Sequence, residues 1–437
     1  MSYQAYPEYK ESGSRWLGEI PALWSAAPAK SLFALRSEKS NCEDEHLTPS
    51  QKYGVLPQSH YMKITGNKVV LNLVGSDSMK HVEPDDFVIH LRSFQGGIEH
   101  SPVRGKVSNA YTVLIPNGSV YPQFFRWALK SDGYIQELRT TTDQLRDGQS
   151  IKFPDFGMVR IPSVPLAEQK QIADFLDRET QQIDNLIAEQ QGLVGNLTER
   201  SKAVISHAVT KGLNPEAELK DSGLEWSRQI PAGWVIDRIS HLFRLISSGT
   251  TPDNDDLVGG DGDVCWVTTG ELRENYISGT RQAVSFEIVQ RTPTLKVYPP
   301  GTLLIAMYGA TIGRLGILNV PACTNQACCA MSGPLGVETR FIYFAFQGAL
   351  EHIMLLASGG GQPNINQDKV RSFRIPVPPL PEQREIVAYL ENQTALIAEL
   401  IEEAKALIDL LKERRSALIS AAVTGKIDVR SEVLSRG

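Results

Sequence analysis

Amide, guanidinium and hydroxyl side chains are concentrated in a few glycine-containing loops in the second half of the chain. YGATIGR (Tyr308–Arg314) follows an apolar run, TNQACC (Thr324–Cys329) comes soon after it, and GQPNINQ (Gly361–Gln367) adds further amides. Such side chains read base edges in DNA, since asparagine and glutamine pair with adenine, and arginine with guanine, through two hydrogen bonds. They also form ordinary turns and helix caps, so composition alone leaves both interpretations open.

Candidate DNA-contacting residues can be named in both halves of the chain. In the second half they are Thr268, Thr269, Tyr308, Thr311, Arg314, Asn325, Gln326, Gln362, Asn364 and Asn366. In the first half the segments LRSFQGG, VRGKVSN and TTDQLRDGQS supply Arg92, Gln95, Arg104, Lys106, Ser108, Gln144 and Arg146.

A search for a catalytic motif is negative. The sequence has no phosphate-binding GxxxxGK[ST] loop, no GxGxxG after a strand, no GxSxG and no HExxH. The Pro-Pro pairs at 299–300 and 378–379 lack the neighbours of an amino-methyltransferase motif. Cys323, Cys328, Cys329 and His352 match no zinc spacing, so buried, reduced thiols are the favoured interpretation. We therefore expect no catalytic centre and no metal in this chain.

Composition restricts the class of protein. The chain has 437 residues, 41% of them apolar and 22% charged, and a net charge of −6. This balance is typical of folded domains. The first residues lack a charged and then apolar leader, which predicts a cytoplasmic protein. A DNA-binding chain of negative net charge must cluster its cations by folding, or obtain phosphate contacts from a partner.

An internal repeat organises the chain. Residues 11–35 match 221–245 at 10 of 25 positions, and residues 161–210 match 375–424 at 23 of 50 positions. The stretches between these blocks are dissimilar. The order variable, constant, variable, constant indicates duplication of a two-part unit and predicts a pseudo-two-fold molecule.

Both constant blocks predict long helices. Apolar residues recur in steps of three and four from Ile172 to Val204 and from Ile386 to Leu418, which is a heptad pattern. Each helix should run for about 40 residues, or roughly 60 Å. We expect the two helices to pair as an antiparallel coiled coil. Leu186, Leu193, Leu400 and Leu407 are expected in its buried seam.

These patterns predict a mixed α/β (α+β) protein in four parts. Two globular domains cover residues 1–160 and 216–374, and two helical spacers cover 161–215 and 375–437. Short β-like runs at Asp263–Thr268, Leu295–Val297 and Gly301–Met307 and a helix-like stretch at Arg340–Leu356, mirrored by Pro122–Glu137, support this assignment.

The repeated motif PLxEQxxI before a long heptad helix resembles the conserved regions of Type I restriction–modification specificity subunits. The openings SGSRWLGEIPALW and SGLEWSRQIPAGW, and the segments GGDGDVCWVTTGEL and YGATIGRLGI, also resemble that family. The first half has no clear copy of the TTGEL or YGATIG segments. The resemblance covers nearly the whole chain.

Several functional expectations follow from this resemblance. It implies that the two globular domains are target recognition domains. Each would read one half of a bipartite, asymmetric DNA site, while the helices set the length of the DNA spacer between the halves. It implies docking of two modification subunits, which carry S-adenosylmethionine and methylate adenine, and then of two restriction subunits with ATP and Mg²⁺. It implies no cofactor in this chain and no membrane partner. A fused methyltransferase–specificity protein and a non-catalytic coiled-coil scaffold are the alternatives.

Overall fold

The computed structural model describes residues 3–41, 43–66, 79–141, 151–260, 262–357 and 364–430. It divides into two compact units. Unit 1 consists of Met1–Gln191 with Ala406–Gly437, and unit 2 is Gly192–Lys405. Both mix helices with strands, so the predicted fold class is confirmed.

Unit 1 contains twelve short strands in its described part. They are β1 (Tyr9–Glu11), β2 (Glu19–Pro21), β3 (Ser25–Pro28), β4 (Phe33–Leu35), β5 (Leu47–Ser50), β6 (Gly54–Pro57), β7 (Lys80–Val82), β8 (Phe87–Ile89), β9 (Glu99–His100), β10 (Gly105–Val107), β11 (Thr112–Pro116) and β12 (Arg160–Ser163). Its shorter helices are α1 (Gln58–Thr65), α2 (Ser93–Gly96), α3 (Pro122–Ala128), α4 (Asp132–Thr140) and α5 (Phe153–Met158), with a 3-10 turn at Ala29–Ser31.

A four-stranded antiparallel sheet in the order β4-β11-β8-β9 forms the centre of unit 1. Phe33 lies in its core, and its ring packs edge-on against Phe87, Phe125 and Phe156 at centroid distances of 5.4 to 5.7 Å. Such edge-to-face pairs add to the free energy of burying large aromatic surface. These contacts join strand β8 and helices α3 and α5 to one core.

Helix α6 (Leu166–Lys211) leads from unit 1 into unit 2. The strands of unit 2 are β13 (Leu219–Asp221), β14 (Gln229–Pro231), β15 (Val235–Arg238), β16 (Phe243–Ser248), β17 (Val258–Gly259), β18 (Val264–Val267), β19 (Asn275–Ile277), β20 (Gln282–Val284), β21 (Leu303–Ala306), β22 (Leu315–Leu318), β23 (Ala322–Thr324), β24 (Cys328–Pro334) and β25 (Arg374–Val377). Its shorter helices are α7 (Ile239–Leu242), α8 (Phe286–Arg291), α9 (Thr339–Gly348), α10 (Leu350–Leu356) and α11 (Gln367–Ser372), with 3-10 turns at Asn254–Asp256 and Gly309–Thr311. Helix α12 (Leu380–Val423) returns to unit 1.

Two sheets build the globular part of unit 2. One has five strands in the order β16-β24-β21-β22-β19, and the other has four in the order β17-β20-β18-β23. Strands β18 and β21 fall within predicted runs, whereas Leu295–Val297 is not a strand. The helix-like stretch after Val337 is present as α9 and α10, with a break at Ala349.

The repeat is visible in the strand pairing of both units. Hairpin β1–β2 in unit 1 corresponds to β13–β14 in unit 2, and the antiparallel pair β3–β12 corresponds to β15–β25. In each unit the second pair joins the start of a globular part to the strand that precedes its long helix. The predicted duplication therefore reflects a duplicated fold.

The long helices run antiparallel within each unit. In unit 1 the early α6 residue Ile183 shares an apolar cluster with the late α12 residues Leu411 and Leu418. In unit 2 the late α6 residue Ile205 shares a cluster with the early α12 residues Ile386 and Leu390. The predicted antiparallel helix pair is confirmed.

The heptad seam differs in register from the predicted one. Between 181 and 201 the positions that are not fully exposed are 183, 187, 190, 194, 197 and 201, and between 395 and 411 they are 397, 401, 404, 408 and 411. Both sets step by four and three, as a coiled coil requires. The four leucines expected in the seam are instead 41–48% exposed, so that prediction is wrong: Leu186, Leu193, Leu400 and Leu407. They lie on the face one position away from the seam.

Among the described helices, none combines the length and apolarity needed to span a bilayer.

Candidate nucleic-acid interface

One edge of unit 2 collects polar loops that are distant in sequence. Strands β16 and β21 end there and β24 begins there, because both pair antiparallel with β24. Strands β18 and β23 pair in parallel and also end there. The Thr250 N–H donates to the Thr324 carbonyl at 2.9 Å, and the Asn325 N–H donates to the Val267 carbonyl at 3.0 Å. The loops that carry Thr251, Thr268 and Asn325 are therefore adjacent.

Close approach of two backbones holds these loops together. A Cβ atom at Gly249 would lie 1.8 Å from the Thr324 carbonyl oxygen, so any larger residue would force the loop apart. The Thr251 hydroxyl donates to the side-chain oxygen of Gln326. Gln326 is exposed, so its amide nitrogen is available at the surface while its side-chain oxygen is held by Thr251.

The same edge continues to Tyr308 and Asn364. The Met307 N–H donates to the Ala327 carbonyl at 2.8 Å, and the Ile365 N–H donates to the Met307 carbonyl at 2.9 Å. A β-bridge then pairs Tyr308 with Asn364. We call this surface the polar edge and define it by six side chains: Thr251, Thr268, Tyr308, Arg314, Gln326 and Asn364.

Arg314 enters the polar edge at the start of β22. Its carbonyl accepts from the Ala306 N–H at 2.9 Å, which places it beside the end of β21. The side chain is exposed. The pKa of the neighbouring Glu274 carboxyl is raised by burial, and the positive charge of Arg314 offsets part of this rise. Arg314 is therefore an accessible cation beside an exposed acid.

Other candidates in unit 2 have local structural bonds. The Thr311 hydroxyl donates to the Tyr308 carbonyl at 3.2 Å, and the Asn325 side-chain oxygen accepts from the Ala327 N–H at 3.2 Å. Asn366 caps helix α11, since its side-chain oxygen accepts from the Lys369 N–H at 2.8 Å. Thr269 is half-buried next to Thr268. Gln362 lies outside the described residues, and a DNA contact by any of these residues stays a prediction.

The candidates in unit 1 fall into two groups. Arg92 and Gln95 are exposed at helix α2. Lys106 lies in strand β10, and Arg104 and Ser108 flank it. The Ser108 hydroxyl accepts from the Ala110 N–H at 3.3 Å and thus stabilises a turn. Gln144 and Arg146 lie outside the described residues. No hydrogen bond or ion pair within the described residues joins the two groups.

A buried ionic cluster supports the second group. Asp44 accepts from His81 Nδ1 at 2.7 Å, and Glu83 accepts from His81 Nε2 at 2.7 Å, so the imidazole can donate to both carboxylates only when it is protonated. Arg104 Nε donates to Asp44 at 3.3 Å. Asp44 is thus shared between a buried histidine and an arginine whose side chain is 55% exposed. The cluster fixes one end of the Arg104 guanidinium.

The pKa shifts in this cluster follow from its geometry. Burial opposes protonation of His81, but the hydrogen bonds and charges of Glu83 and Asp44 outweigh it, and the pKa of His81 is raised. Burial opposes ionisation of Asp44, yet bonds from the Asn41 backbone, His81 and Arg104 leave the pKa of Asp44 lowered.

We expect unit 1 to lose stability as pH rises above neutral. A histidine whose folded pKa is raised stabilises the fold fully below its unfolded pKa of about 6.5, and that contribution is lost as pH rises through the folded pKa. Hydrogen-exchange protection in β7 and β10 should therefore decrease from pH 6 to pH 8.5, after correction for intrinsic exchange. His81→Gln should remove this dependence. His46→Gln is the comparison, because burial and Lys106 lower the pKa of His46. An unchanged pH dependence in His81→Gln would contradict the assignment.

The repeated Glu-Gln pair of the PLxEQ motif joins each globular part to its long helix. Gln169 Oε1 accepts from the Tyr121 N–H at 2.7 Å, and its Nε2 donates to the Ser119 and Val164 carbonyls at 2.8 Å. In unit 2, Gln383 Oε1 accepts from the Glu338 N–H at 2.8 Å, and its Nε2 donates to the Pro378 carbonyl at 2.8 Å. Both glutamines are at most 1% exposed. The motif thus satisfies backbone groups of the globular part from the first turn of the helix.

The preceding glutamates bind different donors in the two units. Glu168 accepts from the Tyr6 hydroxyl at 2.5 Å, whereas Glu382 accepts from Trp234 Nε1 at 3.0 Å. Trp24, which corresponds to Trp234, has a buried Nε1 without a hydrogen-bond partner among the described residues. The repeat has therefore kept the acceptor and changed the donor.

Comparison with known proteins identifies this architecture. Residues 231–409 match the family model of the Type I restriction modification DNA specificity domain. The chain is 24% identical over 323 residues to the type I restriction enzyme MjaX specificity subunit of Methanocaldococcus jannaschii, covering 73% of this chain and 71% of the relative. It is 24% identical over 439 residues to the EcoKI specificity subunit of Escherichia coli strain K12, covering 94% of this chain and 90% of the relative. Over nearly its whole length the chain is similar to Type I restriction–modification specificity subunits.

Solved structures share the fold of this chain. A chain from a structure of type I restriction–modification complex assembly and conformational transition aligns with a TM-score of 0.73 at 17% identity, covering 93% of this chain and 99% of that chain. The HsdS subunit of Thermoanaerobacter tengcongensis aligns with a TM-score of 0.56 at 18% identity, covering 93% and 98%. The resemblance found in the PLxEQ blocks is confirmed, and DNA target recognition is the function of this family.

Three of the described cysteines, Cys323, Cys328 and Cys329, are buried thiols. Burial raises the pKa of both Cys323 and Cys329 to about 12, and burial also raises the pKa of Cys328. A thiol must ionise to bind zinc, so these groups are poor ligands at neutral pH. Within the described residues no group of three or more His, Cys, Asp or Glu side chains is arranged to hold a metal ion.

Sequence reasoning missed one residue of the polar edge, Thr251, and one residue that supports it, Glu271. Thr251 holds Gln326, and Glu271 Oε2 accepts from the Thr268 N–H at 2.8 Å and also from its hydroxyl. The spacing from Thr268 to Glu271 is that of a local turn, which a closer study of TTGEL could have found. The link from Thr251 to Gln326 joins residues 75 positions apart, and no sequence pattern signals it.

Proposed function

We propose that this chain is a specificity subunit that reads a bipartite, asymmetric DNA site, with one half-site read by the globular part of each unit. The observation that carries the proposal is the duplicated unit, in which the same Glu-Gln device joins two unlike globular parts to one antiparallel helix pair. Two different globular surfaces, each attached in the same way to the helix pair, are suited to two different half-sites. The polar edge supplies exposed Arg, Gln, Asn and Tyr side chains for the second half-site, which are the residue types that contact base edges.

The two long helices are proposed to set the spacer and to dock methyltransferase subunits. Leu186 and Leu193 on α6, and Leu400 and Leu407 on α12, are large apolar side chains exposed outside the seam. Each lies at the same position in its own repeat. Recurring apolar residues on an otherwise charged helix surface are typical of a protein interface. Two matched helix faces fit two copies of one partner.

The chemistry of the complex is proposed to reside in its partners. The modification subunits would bind S-adenosylmethionine and methylate adenine, and the restriction subunits would use ATP and Mg²⁺. This chain would contribute recognition and spacing and no reacting group. Double-stranded DNA is then the only substrate that it contacts itself.

Methylation mapping tests the proposed function. The chain is co-expressed with its cognate modification subunit, and adenine methylation is mapped by sequencing the host genome. We expect methylation at one bipartite motif, lost when this chain is omitted. A stable complex without motif-specific methylation would reject the proposal in favour of a scaffold.

Arg314→Ala should weaken recognition of the second half-site. If the guanidinium binds a base edge, affinity should fall by about 1–3 kcal/mol and discrimination at one base pair should relax. Binding of the complex is measured on duplexes altered at each base pair of the second half-site. Arg238→Ala, an exposed arginine on β15, is the matched control. Undiminished discrimination at every position in Arg314→Ala would exclude base reading by Arg314.

A further inference from the structure

A second polar surface of unit 2 is concave, and most of its residues lie outside the motifs discussed above. The loop after β18 and the segment from β19 to the start of β20 enclose a cleft of about 640 Å³. We call it the 268–282 cleft. Its polar lining includes Thr268, Arg273, Asn275, Tyr276, Arg281 and Gln282. Thr268 also belongs to the polar edge, so the two surfaces are continuous.

The charge of the 268–282 cleft is positive. Arg273 and Arg281 are both exposed, and neither forms an ion pair within the described residues. Arg273 Nε donates to the Gly270 carbonyl at 3.2 Å, which fixes one end of the guanidinium. Glu271 is the one carboxylate of the lining, and its Oε2 already accepts from the Thr268 N–H. Two cations therefore face an accessible cavity in a chain whose net charge is −6.

The walls of the 268–282 cleft are held by packing. Strand β19 pairs in parallel with β22, and a Cβ atom at Gly316 would lie 2.8 Å from Ile277 and 2.9 Å from Leu272. On the other side, the Arg340 guanidinium lies 5.1 Å from the centre of the Tyr276 ring and donates to Glu391 at 3.0 Å. Fixed walls reduce the entropy that a bound ligand would have to offset.

We propose that the 268–282 cleft binds the sugar–phosphate backbone of DNA next to the second half-site, with Arg273 and Arg281 contacting phosphate oxygens. The inference rests on the proposed function and assigns a separate part of the contact. Base edges are read by side chains that protrude into a groove, as the polar edge can do, whereas a concave, cationic surface fits the protruding backbone. Guanidinium groups match phosphate geometry through two parallel hydrogen bonds, and the amides and hydroxyls of the lining add neutral donors.

Salt-dependent DNA binding tests the cleft. The complex of this chain with its modification subunits is titrated with cognate duplex, with duplex scrambled in the second half-site, and with fully scrambled duplex. Arg273→Ala and Arg281→Ala should each weaken binding to all three about tenfold or more, because each loses a charge-assisted hydrogen bond. Each should also reduce the slope of log affinity against log salt by about one. Arg273→Lys and Arg281→Lys keep the charge and should retain the slope.

Arg244→Ala is the matched control in unit 2. Arg244 is exposed on β16, four residues from Ser248, and thus about 13 Å along the strand from the polar edge. Its replacement should leave affinity and slope unchanged. Duplexes with single neutral methylphosphonate linkages then locate the contact. At the contacted phosphate the linkage should weaken the parent complex and have no further effect on Arg273→Ala or Arg281→Ala.

The outcomes separate the two proposals. Parental affinity and slope in both alanine variants would overturn the cleft assignment. If an alanine variant discriminates less at one base pair but keeps the slope of log affinity against log salt, the cleft reads a base and the phosphate assignment is overturned. A parent complex that binds cognate and scrambled duplexes equally would instead reject the proposed function itself.

Discussion

Replacing Gln383 with leucine is expected to destabilise unit 2 by about 2–5 kcal/mol, because two buried backbone groups lose their partner. The Glu338 N–H and the Pro378 carbonyl both bond to this side chain, which is fully buried. Leucine has a similar volume and leaves little cavity, so the lost stability would come from the buried backbone groups that no longer have a hydrogen-bond partner. Gln169→Leu should have the same effect on unit 1, where three backbone groups depend on the side chain.

Hydrogen exchange distinguishes the two variants. Protection in β24 should decrease in Gln383→Leu, and protection in β11 should decrease in Gln169→Leu. Gln393→Leu, at a half-buried position of α12, is the control and should change stability by less than about 0.5 kcal/mol. Equal loss of protection in both units from either replacement would show that the glutamines do not act locally.

The Glu-Gln pair shows what a sequence pattern can and cannot establish. The repeat of PLxEQ was sufficient to predict a duplicated unit and the start of each long helix. It could not show that Gln169 and Gln383 bond to the backbone ahead of helices α3 and α9, about 45 residues or more away in sequence. Such contacts depend on tertiary placement and leave no local signal.

The coiled-coil seam illustrates a different difficulty. The heptad spacing of apolar residues predicts that leucines such as Leu186 and Leu193 lie in the seam. The observed seam includes Gln190 and Ser201, which are half-buried and polar, and Ala404, which is buried and small. A helix with two apolar stripes of the same period has two possible seams, and only the packing of the two helices decides which one is buried. The second stripe is then available for a partner.

The structure brings candidate DNA-contacting residues together where loops follow strands closely. Tyr308, Arg314 and Gln326 were chosen from their residue types, and the structure brings them to one edge because β21, β22 and β23 end or begin there. In unit 1, Arg104 was chosen without any sign of Asp44 or His81, which lie 60 and 23 positions before it. Burial of an ionic cluster of this kind cannot be predicted from spacing, since its members are brought together by strand pairing between β7 and β10.

Adding one heptad to each long helix is expected to lengthen the required DNA spacer by about three base pairs without changing either half-site. Seven residues extend a helix by about 10 Å, and the rise of DNA is about 3.4 Å per base pair. Residues 185–191 would be duplicated after Gln191, and residues 399–405 after Lys405, where the two helices pass between the units. A complete heptad preserves the seam, because positions 187 and 190, and positions 401 and 404, recur in register.

The spacer change is measured by mapping adenine methylation in cells that express the extended chain with its modification subunit. An insertion of five residues in each helix is the matched control, since it turns the following seam by about 140° and should abolish cooperative folding of the helix pair. An unchanged spacer in the heptad variant would reject the helices as the element that measures distance. A lengthened spacer with both half-sites retained would assign distance to the helices and sequence reading to the globular parts. The exposed leucine stripe would then have to be continued through the added heptads to keep its partners, which is satisfied because the duplicated segments include Leu186 and Leu400.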